Sequence, residues 1–152
     1  MAVFRFVIGN KARTVQIEKD QKEAPLFGKK IGETFTGDFL GLEGYELKIT
    51  GGSDKDGFPM RPDVEGVVKK RTLLAKGLGF RAIKKIKKKR FKREGMRKRK
   101  TVRGNTISAE TIQVNCAVVK EGSRPFAEIF PPKVKEGKQN EETQGEKQEA
   151  TA

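Results

Sequence analysis

Short stretches in which apolar and polar residues alternate dominate the first half of this chain. The clearest covers residues 45–50, where every second residue is apolar, as in a strand that buries one face. Residues 3–8 form a compact apolar run, and residues 13–17 alternate again after the turn-forming pair Gly9-Asn10. These two runs predict the strands of a β-hairpin.

Further strand-like stretches continue along the chain. Residues 34–37 are weakly β-like, and residues 66–74, 101–103 and 111–119 predict strands. Residues 24–30 predict one short helical turn, with a proline at its first position and a glycine near its end. Several short strands separated by glycine-rich turns predict a mainly-β fold, a small single-domain barrel or a folded-over antiparallel sheet.

The end of the chain has a different composition. One valine and two alanines are the only apolar residues among residues 133–152. Such a segment cannot bury enough surface to offset the entropy lost on ordering, so it predicts disorder. The predicted division is a β-rich domain over residues 1–125 and a polar tail over residues 126–152, in which Pro131-Pro132 precedes the disordered part.

Charge is distributed very unevenly along the chain. Residues 69–103, the basic band, contain eighteen Lys or Arg residues and one acidic residue, Glu94. Their net charge of about +17 exceeds the +14 of the whole chain, so the remainder sums to about −3. The eighteen cationic residues are the predicted binding residues: Lys69, Lys70, Arg71, Lys76, Arg81, Lys84, Lys85, Lys87, Lys88, Lys89, Arg90, Lys92, Arg93, Arg97, Lys98, Arg99, Lys100 and Arg103.

A band this dense repels itself in water and becomes favourable beside a polyanion, so it predicts a nucleic-acid partner. Arginine binds phosphate oxygens bidentately, whereas lysine acts as a point charge. Arg97, Arg99 and Arg103 are therefore the predicted geometrically fixed contacts, and the lysines supply diffuse attraction.

The apolar residues inside the band have two interpretations. Ile83, Ile86 and Phe91 have imperfect helical spacing and anchor a short helix in one interpretation. In the other, Phe91 stacks on a base while the isoleucines have a packing role. A basic segment of this kind is also expected to order only when it binds RNA.

Two features of the composition restrict the catalytic and metal-binding chemistry that we expect of this chain. The chain has no histidine, the commonest general base and metal ligand, and Cys116 is its single cysteine. One thiolate makes neither an internal disulfide nor a zinc site. We therefore expect a non-enzymatic cytoplasmic protein with no metal, no cofactor and no small-molecule substrate. A membrane role is not expected, because no signal peptide is predicted and no apolar run approaches the ~18 residues that span a bilayer.

A glycine-rich loop follows the strand of residues 45–50. Its glycines permit unusual φ values and its aspartates favour turns, so it predicts a tight turn whose Phe58 returns to the core together with Met60. A calcium loop is rejected because Phe58 and Pro59 occupy the positions that require Asp or Asn and Gly. A phosphate loop is rejected because Phe58 replaces the required lysine. The structural residues of this signature loop are Gly51, Gly52, Asp54, Gly57, Pro59 and Met60.

The same loop resembles the signature of a known family. Residues 50–60 (TGGSDKDGFPM) closely resemble a motif of the small-subunit ribosomal protein family S6e, or eS6, and residues 97–104 resemble its second motif. The resemblance covers roughly residues 2–122. It implies a compact β-barrel-like domain that binds small-subunit ribosomal RNA beside neighbouring ribosomal proteins. The tail is short and nearly neutral, unlike the serine-rich tails of longer eukaryotic members, so the chain resembles the archaeal form.

The predicted function is a structural constituent of the small ribosomal subunit that binds folded ribosomal RNA through the basic band. The alternative is an architectural DNA-binding protein, which the same charge favours although no recognition helix is evident. A third possibility, an enzyme acting on RNA with Asp54 and Asp56 as a metal pair, is disfavoured because such turn residues usually cap backbone groups.

Overall fold

Most of the chain folds as extended strands. The computed structural model describes residues 3–87 and 89–130, and within them a 3-10 turn at Asp38–Leu40 is accompanied by nine strands and one α-helix. These elements are β1 (Val3–Asn10), β2 (Arg13–Asp20), β3 (Thr34–Thr36), β4 (Glu46–Asp54), β5 (Lys69–Leu74), β6 (Ile83–Ile86), β7 (Lys89–Lys92), β8 (Lys98–Arg103), β9 (Thr111–Lys120) and α1 (Phe126–Ile129).

Five of the strands form one sheet, the main sheet, in the order β2-β1-β9-β4-β3. The pairs β1–β2, β3–β4 and β4–β9 are antiparallel, whereas β1 and β9 run parallel. The mainly-β prediction is confirmed, but the sheet is mixed rather than antiparallel throughout. A sequence pattern does not reveal this, because β1 and β9 meet only after about a hundred intervening residues fold between them.

One face of the main sheet forms the main hydrophobic core. Alternate residues of a strand point to the same side, so the apolar positions of β1, β4 and β9 converge there. The buried side chains from these three strands are Phe4, Phe6, Ile8, Leu47, Ile49, Val114 and Cys116. Burial raises the pKa of the Cys116 thiol to about 12, which suits an inert packing residue.

Two turns differ from their predictions. The predicted hairpin of β1 and β2 is confirmed, but Asn10 pairs with Arg13, so the turn is Lys11-Ala12, two positions later than expected. Residues 24–30 form consecutive turns and a single bridge instead of a helical turn. The amide of Lys29 bonds to the carbonyl of Leu26 at 3.1 Å, which closes one turn that does not continue as a helix.

The folded domain continues beyond residue 125, the predicted boundary. Phe126, the first residue of α1, is buried in the main core, with its ring centroid 6.4 Å from that of Tyr45. The Tyr45 hydroxyl donates a hydrogen bond of 2.5 Å to the carbonyl of Arg124, and Phe130 also packs on the core. Residues 126–130 therefore pack on the same core as the residues before them, and the domain division at residue 125 stays a prediction. The predicted disorder of residues 133–152 lies outside the described residues.

The remaining four strands belong to the basic band, which folds as two ribbons. β5 and β8 form the base ribbon, and β6 and β7 form the tip ribbon between them in the sequence. A bond from the amide of Arg93 to the carbonyl of Ala82, 3.1 Å long, extends the tip ribbon towards the base ribbon. None of the helices in the described part of the chain has the length and apolar character needed to cross a membrane.

Candidate nucleic-acid interface

The base ribbon has a small hydrophobic cluster of its own. Leu74 of β5 and Val102 of β8 are buried against Phe80 and Ala82, which lie in the connection that follows β5. Val64 and Met96 pack against the edge of this cluster. The cluster keeps the ribbon in one arrangement, which in turn determines where the neighbouring cationic side chains point.

The register of β5 and β8 divides the base ribbon into two faces. Directly opposed residues of an antiparallel pair lie on the same face. The inner face contains Leu74 and Val102 and covers the small cluster. On the outer face, Arg71 and Arg99 are exposed beside Leu73, which is itself 55% exposed. The opposed pairs of the outer face are Arg71 with Thr101 and Leu73 with Arg99. Lys69 and Arg103 are opposed on the same side at the end of the ribbon, where Arg103 is covered by the adjoining part of the main sheet.

The tip ribbon is a hairpin, so the short helix considered for this segment is not formed. β6 and β7 pair in register from Ile83 with Lys92 to Ile86 with Lys89. Lys87, in the turn, has a positive φ of 51°. Ile83 is 40% exposed and Phe91 46% exposed, so the packing role expected for Ile83 is incomplete. The prediction that the band orders only when RNA binds remains a prediction.

The predicted binding residues are spread over both ribbons and their connections. Seven lie in the base ribbon: Lys69, Lys70, Arg71, Lys98, Arg99, Lys100 and Arg103. Five have their backbone in the tip ribbon: Lys84, Lys85, Lys89, Arg90 and Lys92. Five lie in connecting segments: Lys76, Arg81, Lys87, Arg93 and Arg97. Lys88 lies outside the described residues.

Ion pairs neutralise little of this charge. Among the band residues whose side chains the structure describes, only Lys69 and Arg103 pair with carboxylates. Lys69 binds Asp56 and also lies 4.5 Å from the centre of the Phe58 ring. The hydrogen bond from Lys69 holds the pKa of Asp56 below its ordinary value. The remaining described cations of the band are exposed, as a surface that binds phosphates requires.

Arg103 is placed differently from its prediction as a fixed RNA contact. Its side chain is only 7% exposed, with Nη1 3.7 Å from Oδ2 of the buried Asp54. Nη2 donates a hydrogen bond to Glu110, and this bond holds the pKa of Glu110 below its ordinary value. Arg103 therefore joins the base ribbon to the main sheet. The sequence reveals neither Asp54 nor Glu110 as its partner, because charge alone does not indicate which cation faces inward.

The signature loop has a structural role at the same junction. Oδ1 of Asp54 accepts hydrogen bonds from the amides of Asp56 (3.0 Å) and Phe58 (2.9 Å), which confirms the predicted turn-capping role of Asp54. The carbonyl of Pro59 accepts a bond of 2.9 Å from the amide of Arg103. Met60 is buried in the main core, as predicted, whereas Phe58 is only half-buried and is not part of that core. The loop thus connects β4 to β8 through both backbone and side chains.

The glycines of the loop serve two different purposes. Gly57 has a positive φ of 78°, which glycine adopts most easily. Gly51 and Gly52 lie inside β4 without a positive φ, so the conformational reason predicted for them does not apply. A Cβ on Gly52 would lie 2.3 Å from the carbonyl oxygen of Gln113, whereas one on Gly51 meets no atom within 4 Å. Gly52 is therefore required by the close approach of β9.

Gly104, the last residue of the second motif, has a similar steric role that the sequence did not reveal. A Cβ there would lie 1.8 Å from the carbonyl oxygen of Gly66. The amide of Gly104 donates to the carbonyl of Val68 (2.9 Å), and the amide of Asn105 donates to that of Val64 (2.8 Å). Residues 64–68 consequently lie tightly against the end of β8 and position the start of β5.

The described residues do not form a metal-binding site. Within residues 3–87 and 89–130, no group of three or more His, Cys, Asp or Glu side chains is arranged to hold a metal ion. Asp54 and Asp56, the pair considered for an enzyme, are engaged by backbone amides and by Lys69. What the surface offers chemically is a set of exposed cations on a two-stranded scaffold.

Comparison with known proteins identifies a family. The family model described as ribosomal protein S6e matches residues 4–131, further than the predicted resemblance. A small ribosomal subunit protein eS6 of Methanothermobacter thermautotrophicus is 44% identical, covering 84% of this chain and 94% of the relative. The eS6 protein of Methanocaldococcus jannaschii is 46% identical, and the match covers 86% of this chain and 92% of the relative. The eS6 protein of Archaeoglobus fulgidus is 50% identical, and the match covers 71% of this chain and 78% of the relative. This chain belongs to the ribosomal protein S6e family.

Proposed function

We propose that this protein is a structural, non-enzymatic constituent of the small ribosomal subunit in the cytoplasm and binds ribosomal RNA through its basic band. Membership in the ribosomal protein S6e family supports the first part of the proposal. The observation that supports the second is the exposure of the band's cations on two ribbons, where few acids neutralise them. Its partners are then small-subunit ribosomal RNA and neighbouring ribosomal proteins.

The main sheet acts as an anchor in this proposal, and the ribbons carry the contacts. Two-stranded ribbons expose both faces and their long side chains, so one ribbon reaches phosphates on more than one RNA strand. Contacts of this kind recognise the shape and charge of the backbone more than base edges. Phe91, exposed on the tip ribbon, adds an aromatic surface on which an unpaired base stacks.

Salt dependence tests the electrostatic part directly. A protein that neutralises 6–10 phosphates loses about 10³–10⁵ in affinity between 50 and 200 mM salt. Replacing Arg71, Arg97 and Arg99 by Gln removes three exposed cations without touching the small hydrophobic cluster. The slope of log affinity against log salt, measured by titration of a structured small-subunit RNA fragment, should fall by about 2–3.

A matched control uses three exposed cations of the main sheet. Replacing Arg13, Lys48 and Lys120 by Gln changes the net charge equally but leaves the basic band intact. This variant should keep the slope of the unaltered protein to within about one unit. An equal loss in both variants would show that net charge, and not the band, determines binding.

Duplex DNA of matched length provides the comparison with the alternative function. At equal salt, we expect structured RNA to bind more tightly, because the ribbons fit irregular RNA surfaces and no described helix of the chain is long enough to read a major groove. A clear preference for DNA would contradict the ribosomal assignment of the band and support an architectural DNA-binding role.

A further inference from the structure

The outer edge of β5 presents unpaired backbone groups. In an antiparallel pair, residues alternate between those that bond to the partner and those that point away from it. The amide and carbonyl of Arg103 bond to Pro59 and Arg61, at 2.9 and 3.0 Å, and therefore point away from β5. Since Lys69 is opposite Arg103, the backbone groups of Lys69, Arg71 and Leu73 point to the outer edge.

This edge is open in the described part of the chain. No other described strand pairs with β5 besides β8, and no described backbone group bonds to Arg71 or Leu73 from outside the base ribbon. The opposite edge of the ribbon, on β8, is partly covered by the bonds between Arg103 and residues 59–61. An exposed strand edge of this kind is a template for the addition of another strand.

A groove of about 490 Å³ runs beside the same strand. Val64, Val68 and Leu74 supply its apolar lining, and Val68 is 57% exposed. Leu73, which belongs to the outer face, also borders the groove at the strand edge. Its four charged residues are Arg61, Asp63, Glu65 and Lys70, two of each sign. The groove therefore carries no net charge, although it lies within the most basic part of the molecule. A phosphate backbone gains little from such a surface, whereas apolar side chains of a protein gain burial.

The faces on the two sides of the edge differ in charge, and this difference specifies the occupant. On the outer face, Arg71 and Arg99 are exposed and have no acidic partner among the described residues. On the groove side, the charges cancel and apolar side chains line the surface. A strand added to β5 alternates its side chains between these two sides. The complementary segment is one in which acidic and apolar residues alternate.

We propose that the outer edge of β5 binds an extended segment of a different protein, in which acidic residues alternate with apolar residues, by strand addition. A second copy of this chain is disfavoured, because it would bring two basic bands together. The proposal goes beyond RNA binding and does not depend on it. It gives the base ribbon a protein-binding edge whose acid-binding cations, Arg71 and Arg99, also belong to the basic band.

Amide exchange of the unaltered protein tests the proposal residue by residue. The probe is a ten-residue synthetic peptide that alternates Val and Glu, and a peptide that alternates Val and Lys is the charge control. The Val-Glu peptide should slow exchange of the Arg71 and Leu73 amides by about tenfold or more. The amides of Lys70 and Thr72 bond within the base ribbon and should change little.

Two substitutions of Leu73 distinguish the contribution of its backbone amide to peptide binding from that of its side chain. Leu73→Pro removes an outward amide that does not bond to β8, so the ribbon's own ladder is retained. It should weaken binding of the Val-Glu peptide by about tenfold, measured by fluorescence anisotropy, whereas Leu73→Ala should weaken it by less than about threefold. The exchange data on the unaltered protein stand even if Leu73→Pro does not fold.

Several results would overturn the proposal. They are equal binding of the Val-Lys peptide, protection of Arg99 and Thr101 instead of β5, or no protection at millimolar peptide. Structured RNA that slows exchange of the Arg71 and Leu73 amides as much as the peptide would also overturn it, since the edge would then belong to the RNA interface. Failure of RNA binding would leave the peptide result unchanged, so the two proposals fail separately.

Discussion

Among the described residues, sixteen buried hydrophobic residues form the core of the main sheet, whereas the cluster beneath the base ribbon contains four. The charge is distributed in the opposite way, with about +17 on the basic band and about −3 on the remainder. Apolar burial stabilises by roughly 25 cal/mol per Å². Most of the folding free energy therefore comes from the main sheet, and most of the positive charge is on the basic band.

Separating the hydrophobic core from the clustered cations has a physical advantage. Like charges destabilise a compact fold by mutual repulsion. On a two-stranded ribbon, most of the cations reach solvent, and few residues depend on that part of the chain for packing. The junction between the regions is made by Arg103 and the signature loop, where acids are supplied to the cations that face inward. Four predictions test this comparison, from the largest expected effect to the smallest.

The largest effect should come from two phenylalanines in the contrasting regions. Phe6 is fully buried in the main core, and Phe91 is exposed on the tip ribbon. Phe6→Ala should lower the free energy of unfolding by about 3–5 kcal/mol, whereas Phe91→Ala should stay within about 0.5 kcal/mol. Urea denaturation followed by circular dichroism measures both. If Phe6→Ala does not fold, Ile8→Val should cost about 0.5–1.5 kcal/mol. A larger loss from Phe91→Ala would mean that the tip ribbon contributes to the core.

Two arginines of β8 provide the second test. Arg103 is buried beside Asp54, and Arg99 is exposed. Arg103→Ala leaves the Asp54 carboxylate buried without its cation and should cost about 3 kcal/mol, whereas Arg99→Ala should cost less than about 0.5 kcal/mol. Adding Asp54→Asn to Arg103→Ala should recover part of the loss, because the Asn oxygen still accepts the turn amides. Equal losses from the two single variants, in thermal unfolding, would contradict the internal role of Arg103.

Adjacent glycines in β4 give the third test. Gly52→Ala places a Cβ against the Gln113 carbonyl and should destabilise by about 1–3 kcal/mol, because the backbone of β9 must shift. Gly51→Ala meets no neighbour and serves as the matched control, with an effect within about 0.5 kcal/mol. Equal stability of the two variants in urea would show that the backbone of β9 shifts at this point at little cost in free energy.

The smallest effect should be a decrease of stability in acid. Hydrogen bonds from Lys69, Arg103 and Lys11 lower the pKa values of Asp56, Glu110 and Glu121 respectively. A carboxyl group whose pKa is lower in the folded state stabilises the fold above its unfolded pKa and loses that contribution as the pH falls through the folded value.

Stability should therefore be nearly constant from pH 7 to about pH 5 and decrease below about pH 4.5. These carboxylates are exposed to solvent, so added salt should reduce the effect. Denaturation of Glu110→Gln at several pH values provides the comparison, because this variant should lose the part of the pH dependence that arises at the junction. A pH dependence identical to that of the unaltered protein would contradict the role of Glu110.

The site was predictable to the extent that its features are local. The density of charge between residues 69 and 103 and the glycine and aspartate spacing of the signature loop are visible in the sequence. The prediction of Arg103 as a geometrically fixed contact did not reveal its inward position, because its partner Asp54 is 49 positions away and becomes adjacent only after β4 and β8 are placed. The packing of Phe126 beside Tyr45 was hidden in the same way, since the two residues are 81 positions apart in the sequence.

The sequence itself determined the approximate positions of the strands outside the tip ribbon, the mainly-β class, the presence of a single cysteine and the location of the basic charge. Each depends on alternation or composition and not on which distant segments meet. Tertiary structure alone decided the parallel pairing of β1 with β9, the inward position of Arg103, the steric need for Gly52 and the open edge of β5. All four depend on which distant segments approach one another, and the free energy of that approach is a sum over the whole fold that no local pattern contains.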